Sequence, residues 1–124
     1  MSELRKAVDQ FWSDLKDGRN NIISCEQLNQ AIENNYPLYL LDIRKPEDYA
    51  EKHIDGAINV PWVEVGDYLD DFPKDEKIIV ICYTGQTAGQ TVALLRLLGF
   101  DACSLKGGMS CEQAFLPLKA SCAS

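Results

Sequence analysis

A cysteine at the end of an apolar strand is the feature of this sequence best suited to chemistry. Cys82 directly follows the apolar run 78–81 and precedes a short polar segment, 83–87, and a helical pattern then extends over 88–98. The N–H groups of a loop and the positive end of a helix dipole stabilise a thiolate. Cys82 is therefore a candidate nucleophile, and the chain is a candidate thiol enzyme.

The loop after Cys82 offers hydrogen-bond donors for an anionic sulfur atom. The candidate binding residues lie between the cysteine and the helix, and they are Tyr83, Thr84, Gly85, Gln86, Thr87 and Ala88. A glycine lets the backbone curve toward the sulfur without a Cβ in the way, and the threonine hydroxyls add donors. The single histidine, His53, is expected to be structural, so we expect the loop rather than a base to activate the thiol.

Composition limits the class of protein. A chain of 124 residues suits one domain with a single core. Its net charge of −7 disfavours nucleic acid and anionic membranes as partners. No stretch is apolar enough to span a bilayer, and no secretory signal is recognisable at the N-terminus. These features predict a cytoplasmic protein, where thiols stay reduced.

The cysteines do not form a metal or disulfide pattern. The chain has five, at 25, 82, 103, 111 and 122, and no two have the C-x-x-C spacing. We therefore expect no metal site and no cofactor. Cys25, Cys103 and Cys111 are expected to be packing residues, and Cys122 to lie in a mobile tail. Whether one of these four resolves an intermediate on Cys82 is left open.

Strands and helices alternate around Cys82. Hydrophobic periodicity predicts strands at 22–23, 39–43, 57–60, 78–81 and 100–105, and helices at 24–32, 46–50, 63–69, 88–98 and 109–115. This order is typical of an α/β fold with a central parallel sheet of about five strands and helices on both faces. Ligands of such sheets bind at the carboxyl ends of the strands, where Cys82 is expected.

The first residues form a separate amphipathic helix. Its apolar residues recur at helical spacing, at Leu4, Val8, Phe11, Trp12 and Leu15. The predicted organisation is a helical extension over 1–20, a main domain over 21–118 and a flexible tail over 119–124. We favour docking of the helix on its own domain, with partner binding or a homodimer as the alternative.

Several motifs together resemble the rhodanese homology domain in order and spacing. They are LDIR at 41–44, EDY at 47–49, HIDGAINVP at 53–61, the apolar strand into Cys82 with its glycine-containing loop, LLGF at 97–100 and LKGGM at 105–109. The resemblance implies a rhodanese-like fold and a single-domain sulfurtransferase. In that family the loop cysteine takes up a sulfane sulfur as a persulfide and passes it on, and Cys82 matches this position.

The resemblance also implies partners. The donor would be a small sulfur compound such as thiosulfate, a polysulfide or a persulfide, and the acceptor a thiol, cyanide or a protein. The six-residue loop 82–87 matches the sulfur-transferring members. The phosphatase relatives have a loop one residue longer that carries an arginine. Thr87 stands where many members have a basic residue, which predicts weaker binding of a dianion such as thiosulfate.

Three further residues match positions that flank the family's site. Asp42 and Arg44 match a strand-end pair, which we expect to fix the following loop by an ion pair, with a direct role at the site as the alternative. Lys106 either supplies positive charge to the site or is solvated. A non-catalytic sensing or protein-binding module on the same scaffold is the alternative function. A phosphatase or arsenate reductase is disfavoured by the loop length and by the absence of an arginine from the loop.

Overall fold

Seven strands form two sheets in the computed structural model, which describes residues 2–111 and 117–119. The strands are β1 (Ile22–Ile23), β2 (Leu38–Asp42), β3 (His53–Ile54), β4 (Ile58–Asn59), β5 (Lys77–Ile81), β6 (Ala102–Leu105) and β7 (Leu118–Lys119). Five of them make a parallel sheet in the order β1-β6-β5-β2-β4. The expected parallel five-stranded sheet is confirmed, and its two edge strands are two residues long, which limits edge-to-edge pairing.

Helices connect these strands. They are α1 (Glu3–Lys16), α2 (Cys25–Glu33), α3 (Pro46–Glu51) and α4 (Gln86–Leu97), with 3₁₀ segments at Trp62–Asp71 and Gly108–Ser110. The side chain of Ser24 accepts from the Gln27 amide and the Gln27 side chain accepts from the Ser24 amide, so a capping box opens α2. Within the described residues, no helix combines the length and apolarity needed to cross a membrane.

The central strand β5 is buried on both faces. Ile78 and Val80 pack into one apolar cluster with α4 and the 3₁₀ segment Trp62–Asp71. Ile79 and Ile81 pack into a second cluster with α2. Alternate residues of a strand point to opposite faces, so a continuous apolar run is required at this position in the sheet. The two clusters hold the end of β5, and with it residue 82, in a fixed place.

Several element boundaries differ from the sequence prediction. The helix predicted at 88–98 begins two residues earlier, at Gln86, because Gly85 adopts φ +102° and serves as its N-cap. The strand predicted at 100–105 is confined to Ala102–Leu105. The helix predicted at 109–115 begins as the 3₁₀ turn Gly108–Ser110, and residues 112–116 lie outside the described residues.

The sequence analysis did not predict the small antiparallel sheet. His53 of β3 pairs with Lys119 of β7, and Ile54 pairs with Leu118. Lys119 thus belongs to a strand although the predicted tail begins there, and the rest of that tail lies outside the described residues. Each of these two-residue strands joins one apolar residue to His53 or Lys119, so neither contains an apolar run such as Ile22–Ile23 that the pattern could show.

Helix α1 lies against α4 of its own chain. Of the apolar stripe, Leu4 and Trp12 are 65% and 58% exposed, while the other three residues are half-buried. The buried residue of α1 is Asp14, which accepts a hydrogen bond from Gln10 and lies within 3.7 Å of the Arg96 guanidinium on α4. Helix α1 therefore contacts α4 through the Asp14–Arg96 ion pair as well as through partly buried apolar residues. The hydrophobic pattern could not predict this ion pair.

Candidate active site

The thiol of Cys82 lies at the carboxyl end of β5, beneath the start of α4. The residue is 2% exposed. Its Sγ accepts two backbone hydrogen bonds, from the Gly85 N–H at 3.0 Å and from the Ala88 N–H at 3.4 Å. Both donors point the partial positive charge of a backbone N–H at the sulfur. Of the predicted loop donors, Gly85 and Ala88 are thus brought to the sulfur.

Gly85 makes the turn possible. It is left-handed at φ +102°, a conformation that costs a glycine little, and its carbonyl accepts from the Gly89 N–H at 3.0 Å. The chain therefore turns from the loop into α4 within one residue. This brings the amide of Ala88, in the first turn of α4, back above Cys82.

A second segment supports the loop from below. The Met109 N–H donates to the Cys82 carbonyl at 2.8 Å, and the Ser110 N–H donates to the Tyr83 carbonyl at 3.1 Å. Gly108 allows this approach, because a Cβ on it would lie 2.3 Å from the Cys82 oxygen. The sequence analysis identified residues 107 and 108 only as part of the motif LKGGM. A glycine pair directly after a strand was the available signal for a close backbone contact.

The side chain of Tyr83 leaves the loop and contacts α3. Its hydroxyl donates to the Asp48 carboxylate and accepts from the Lys45 N–H at 3.2 Å. The guanidinium carbon of Arg44 lies 5.9 Å from the ring centroid, within reach of a cation–π contact. Burial, and then the hydrogen bond to Asp48, raise the pKa of Tyr83. Neither Asp48 nor Lys45 was selected from the sequence as a site residue.

Asp42 and Arg44 form a buried ion pair. The side chains are 0% and 6% exposed, and Arg44 Nη2 lies 2.9 Å from Asp42 Oδ2. Arg44 also donates from its backbone N–H and its Nε to Asp42, and from Nη2 to the Lys52 carbonyl at 2.6 Å. Asn59, which the sequence analysis did not select, donates to the carbonyls of both residues at 3.0 Å. This network fixes the segment between β2 and α3. It thereby fixes the start of α3, where Asp48 contacts Tyr83.

His53 has a structural position. It is 5% exposed, and its ring stacks on Tyr49 with a centroid distance of 3.8 Å. Its Nδ1 lies 2.7 Å from the Tyr49 carbonyl, so this nitrogen carries the proton, because a carbonyl can only accept. The Tyr49 hydroxyl donates to the Ala57 carbonyl. The histidine therefore holds α3 against β3, as expected from the sequence.

The remaining predicted site residues lie around the loop. Thr84 and Gln86 are exposed, and Thr87 is half-buried in the first turn of α4. The Thr87 carbonyl accepts from the Thr91 hydroxyl at 2.8 Å. Lys106 is exposed at the end of β6, where its backbone N–H donates to the Ile23 carbonyl. Roles in substrate binding for the loop residues 83–88, and a role at the site for Lys106, stay predictions.

The other described cysteines differ from Cys82 in their surroundings. Cys25 is buried, and Cys103 and Cys111 are half-buried. Burial raises the pKa of Cys103 even though Lys77 Nζ lies 3.8 Å from its sulfur, so this thiol is a poor nucleophile at neutral pH. Cys122 lies outside the described residues. Among the described residues no cluster of histidine, cysteine and acidic side chains is arranged to hold a metal ion.

Comparisons with known proteins identify the same family by sequence and by structure. The family model of the rhodanese-like domain matches residues 24–111. The thiosulfate sulfurtransferase GlpE of Actinobacillus pleuropneumoniae is 36% identical over 99 residues, which cover 78% of this chain and 91% of that protein. The Bacillus subtilis protein YrkF is 28% identical over 78 residues, which are 63% of this chain but 42% of the relative. The chain thus spans less than half of that longer protein.

A solved structure has the same architecture. The solution structure of the rhodanese-like domain of an Anabaena protein superposes with a TM-score of 0.72 at 26% identity. The superposition covers 81% of this chain and 79% of the Anabaena domain. The sheet that carries Cys82 at one strand end therefore has the arrangement of a known fold.

Proposed function

The chain belongs to the rhodanese-like domain family, and on that premise we propose that it is a sulfurtransferase in which Cys82 carries the sulfur. The donor is thiosulfate, a polysulfide or a persulfide, and the acceptor is a thiol, cyanide or a protein. Relatives that align over most of their length, such as GlpE, are named thiosulfate sulfurtransferases. The observation that carries the proposal is the pair of amides that donate to the Cys82 sulfur.

The proposed reaction has two displacement steps. In the first, the Cys82 thiolate attacks the sulfane sulfur of a donor such as RS–SH, a bond from Cys82 to that sulfur forms, and RS⁻ leaves. In the second, an acceptor thiolate or cyanide attacks the outer sulfur, and the Cys82 thiolate leaves. With thiosulfate, the group that leaves in the first step is sulfite. One S–S bond breaks as each sulfur bond forms, so no external oxidant or reductant is needed.

The loop suits both states of the sulfur. The Gly85 and Ala88 amides reach Cys82 Sγ when no second sulfur is attached to it. A persulfide would extend the side chain by about 2 Å, and we propose that its outer sulfur binds the loop N–H groups. Because the thiol itself is 2% exposed, this outer atom is the one that an acceptor meets. Preorganised donors of this kind stabilise the charge that develops on a leaving sulfur.

Neutral or singly charged donors fit the loop better than thiosulfate. Thr87 stands at the loop position where an arginine would form a fork for a dianion. We therefore propose polysulfides and persulfides of thiols or proteins as the preferred donors. A reduced thiol is required in every cycle, so the cytoplasm is the compartment that we propose.

Intact-mass spectrometry tests the proposal. We expect the protein to gain one sulfur atom after exposure to a polysulfide, to gain less with thiosulfate, and to lose it again on addition of cyanide. Cys82→Ser should take up no transferable sulfur, whereas Cys103→Ser, which alters a half-buried thiol on β6, should behave as the wild type. A folded wild-type protein that gains no sulfur from either donor would instead favour the non-catalytic sensing or binding module.

A further inference from the structure

The contact between Tyr83 and α3 connects the reactive loop to a separate element. Tyr83 is the residue directly after Cys82, and its hydroxyl contacts the Asp48 side chain and the Lys45 N–H. Its backbone carbonyl accepts from Ser110 on the opposite side. Residue 83 is therefore held through its side chain by α3 and through its backbone by the 3₁₀ turn Gly108–Ser110.

The residues after Tyr83 have fewer supports of their own. Thr84 is exposed, and Gly85 is a left-handed glycine that can adopt many other conformations. The Gly85 amide is the donor closer to the Cys82 sulfur, at 3.0 Å. Its direction depends on the two residues before it, and of these Tyr83 is the one with a hydrogen-bonded side chain.

The position of Asp48 is itself fixed. Asp48 lies in the first turn of α3, and its N–H donates to the Lys45 carbonyl at 3.1 Å. Arg44, which precedes Lys45, forms an ion pair with the buried Asp42 and donates a hydrogen bond to the Lys52 carbonyl. Arg44, Asp48, Glu51, Lys52 and Tyr83 line a cavity of about 230 Å³ beside the loop. A hydrogen bond from the loop to this frame restricts how the loop can move.

We propose that Asp48 is a positioning residue for Cys82, which acts through the Tyr83 hydroxyl to keep the Gly85 amide directed at the sulfur. The inference rests on the proposed role of Cys82 as the reactive thiol. It assigns a function to a carboxylate on α3 that does not touch the sulfur. Without this contact the loop samples other conformations, the thiolate loses a donor, and the thiol reacts more slowly at neutral pH.

Alkylation of Cys82 by iodoacetamide, followed by peptide mass spectrometry across a pH series, tests this role. We expect Tyr83→Phe and Asp48→Ala each to slow Cys82 alkylation at neutral pH by about three- to tenfold, as for the loss of one hydrogen bond. Asp48→Asn retains an acceptor oxygen and should keep most of the rate. The double variant should be no slower than either single variant, because both remove the same contact.

Glu47→Ala is the matched control, since Glu47 is an exposed carboxylate on the same turn of α3. It should alkylate at the wild-type rate. Wild-type alkylation rates in both single variants, with or without a lower thermal midpoint, would overturn the proposal, because the contact would then serve stability alone. Effects that multiply in the double variant would also overturn it. Alkylation needs no sulfur donor, so a failure here is distinct from a failure of sulfur uptake by the wild type.

Discussion

The Cα of Gly108 lies so close to the peptide after Cys82 that a Cβ on residue 108 would be 2.3 Å from the Cys82 carbonyl oxygen. The same Cβ would be 2.8 Å from the carbonyl carbon of Tyr83. These are backbone atoms, which cannot rotate away as a side chain can. The approach lets Met109 and Ser110 donate to the carbonyls of Cys82 and Tyr83, at the start of the loop. Gly108 thus determines how the loop is supported.

Gly108→Ala should displace the loop and reduce sulfur transfer. We expect a loss of about tenfold or more in the transfer rate, because small displacements of a reacting group are costly, and a loss of about 1–3 kcal/mol in unfolding free energy. Gly89→Ala is the control, since Gly89 is a helical residue with open space at its Cβ. It should be neutral or stabilising. Equal transfer rates in both variants would contradict this reading of the 2.3 Å approach.

The buried ion pair between Asp42 and Arg44 gives a stability prediction. Asp42→Ala leaves the guanidinium of Arg44, which is 6% exposed, without its carboxylate. We expect a loss of about 3–5 kcal/mol in unfolding free energy, measured by urea denaturation. The control is Asp101→Ala, which removes a half-exposed partner of Arg96 and should cost less than about 1 kcal/mol. Similar losses in the two variants would mean that the buried network is dispensable.

The sequence was sufficient to predict the sheet and to select Cys82 as the candidate nucleophile. The apolar run of β5 is unbroken because both faces of the strand are covered, and a run of this kind is readable without a structure. Cys82 was selected because it ends that run. The loop glycine was expected to let the backbone curve toward the sulfur, and Gly85 does so with a left-handed φ of +102°. The strand and the candidate nucleophile can both be predicted from the sequence, because each depends on residues that are neighbours along the chain.

The supports of the site were not predictable in the same way. Asp48 and Tyr83 are 35 residues apart, and Asn59 bonds to carbonyls 15 and 17 residues away. Such pairings depend on where the folded chain brings polar groups together, and no periodic pattern encodes them. The amide donors to Cys82 were predicted as a group, but only the folded geometry separates Gly85 and Ala88 from the rest.

Thr87→Arg should change the choice of donor. An added guanidinium at this position should favour thiosulfate, a dianion, over a polysulfide by about 1–3 kcal/mol if the charge-assisted hydrogen bonds form. Transfer rates with both donors measure the ratio. Gln90→Arg places the same charge on an exposed residue further along α4 and should leave the ratio unchanged. An unchanged ratio for Thr87→Arg would mean that Thr87 does not face the donor.

Tyr83 should make part of the stability depend on alkaline pH. Its pKa is raised by burial and by the Asp48 hydrogen bond, so the folded state holds the phenolic proton more tightly than the unfolded state. The stabilisation is complete below the ordinary tyrosine pKa of about 10 and is lost as pH rises through the higher folded value. The stability gap between wild type and Tyr83→Phe should therefore narrow in alkaline solution.

Urea denaturation over a series of alkaline pH values measures this gap. Burial also raises the pKa of Tyr39 and Tyr49, so the stability of both proteins should fall as the solution becomes alkaline. The two proteins share these residues, and the difference between them isolates Tyr83. A gap that stays constant or widens with pH would contradict the raised pKa of Tyr83 in the folded state.

Removal of residues 1–18 should leave a folded but less stable domain, because α1 contacts α4 and lies outside both sheets. Phe11 is half-buried, and full burial of such a side chain is worth about 1.5–3 kcal/mol, part of which is offset by ordering the helix. Phe11→Ala should therefore lower the thermal midpoint more than Trp12→Ala, since Trp12 is 58% exposed. An unchanged midpoint in the shortened chain would mean that α1 does not stabilise its own domain, and light scattering would then test its binding to a second copy.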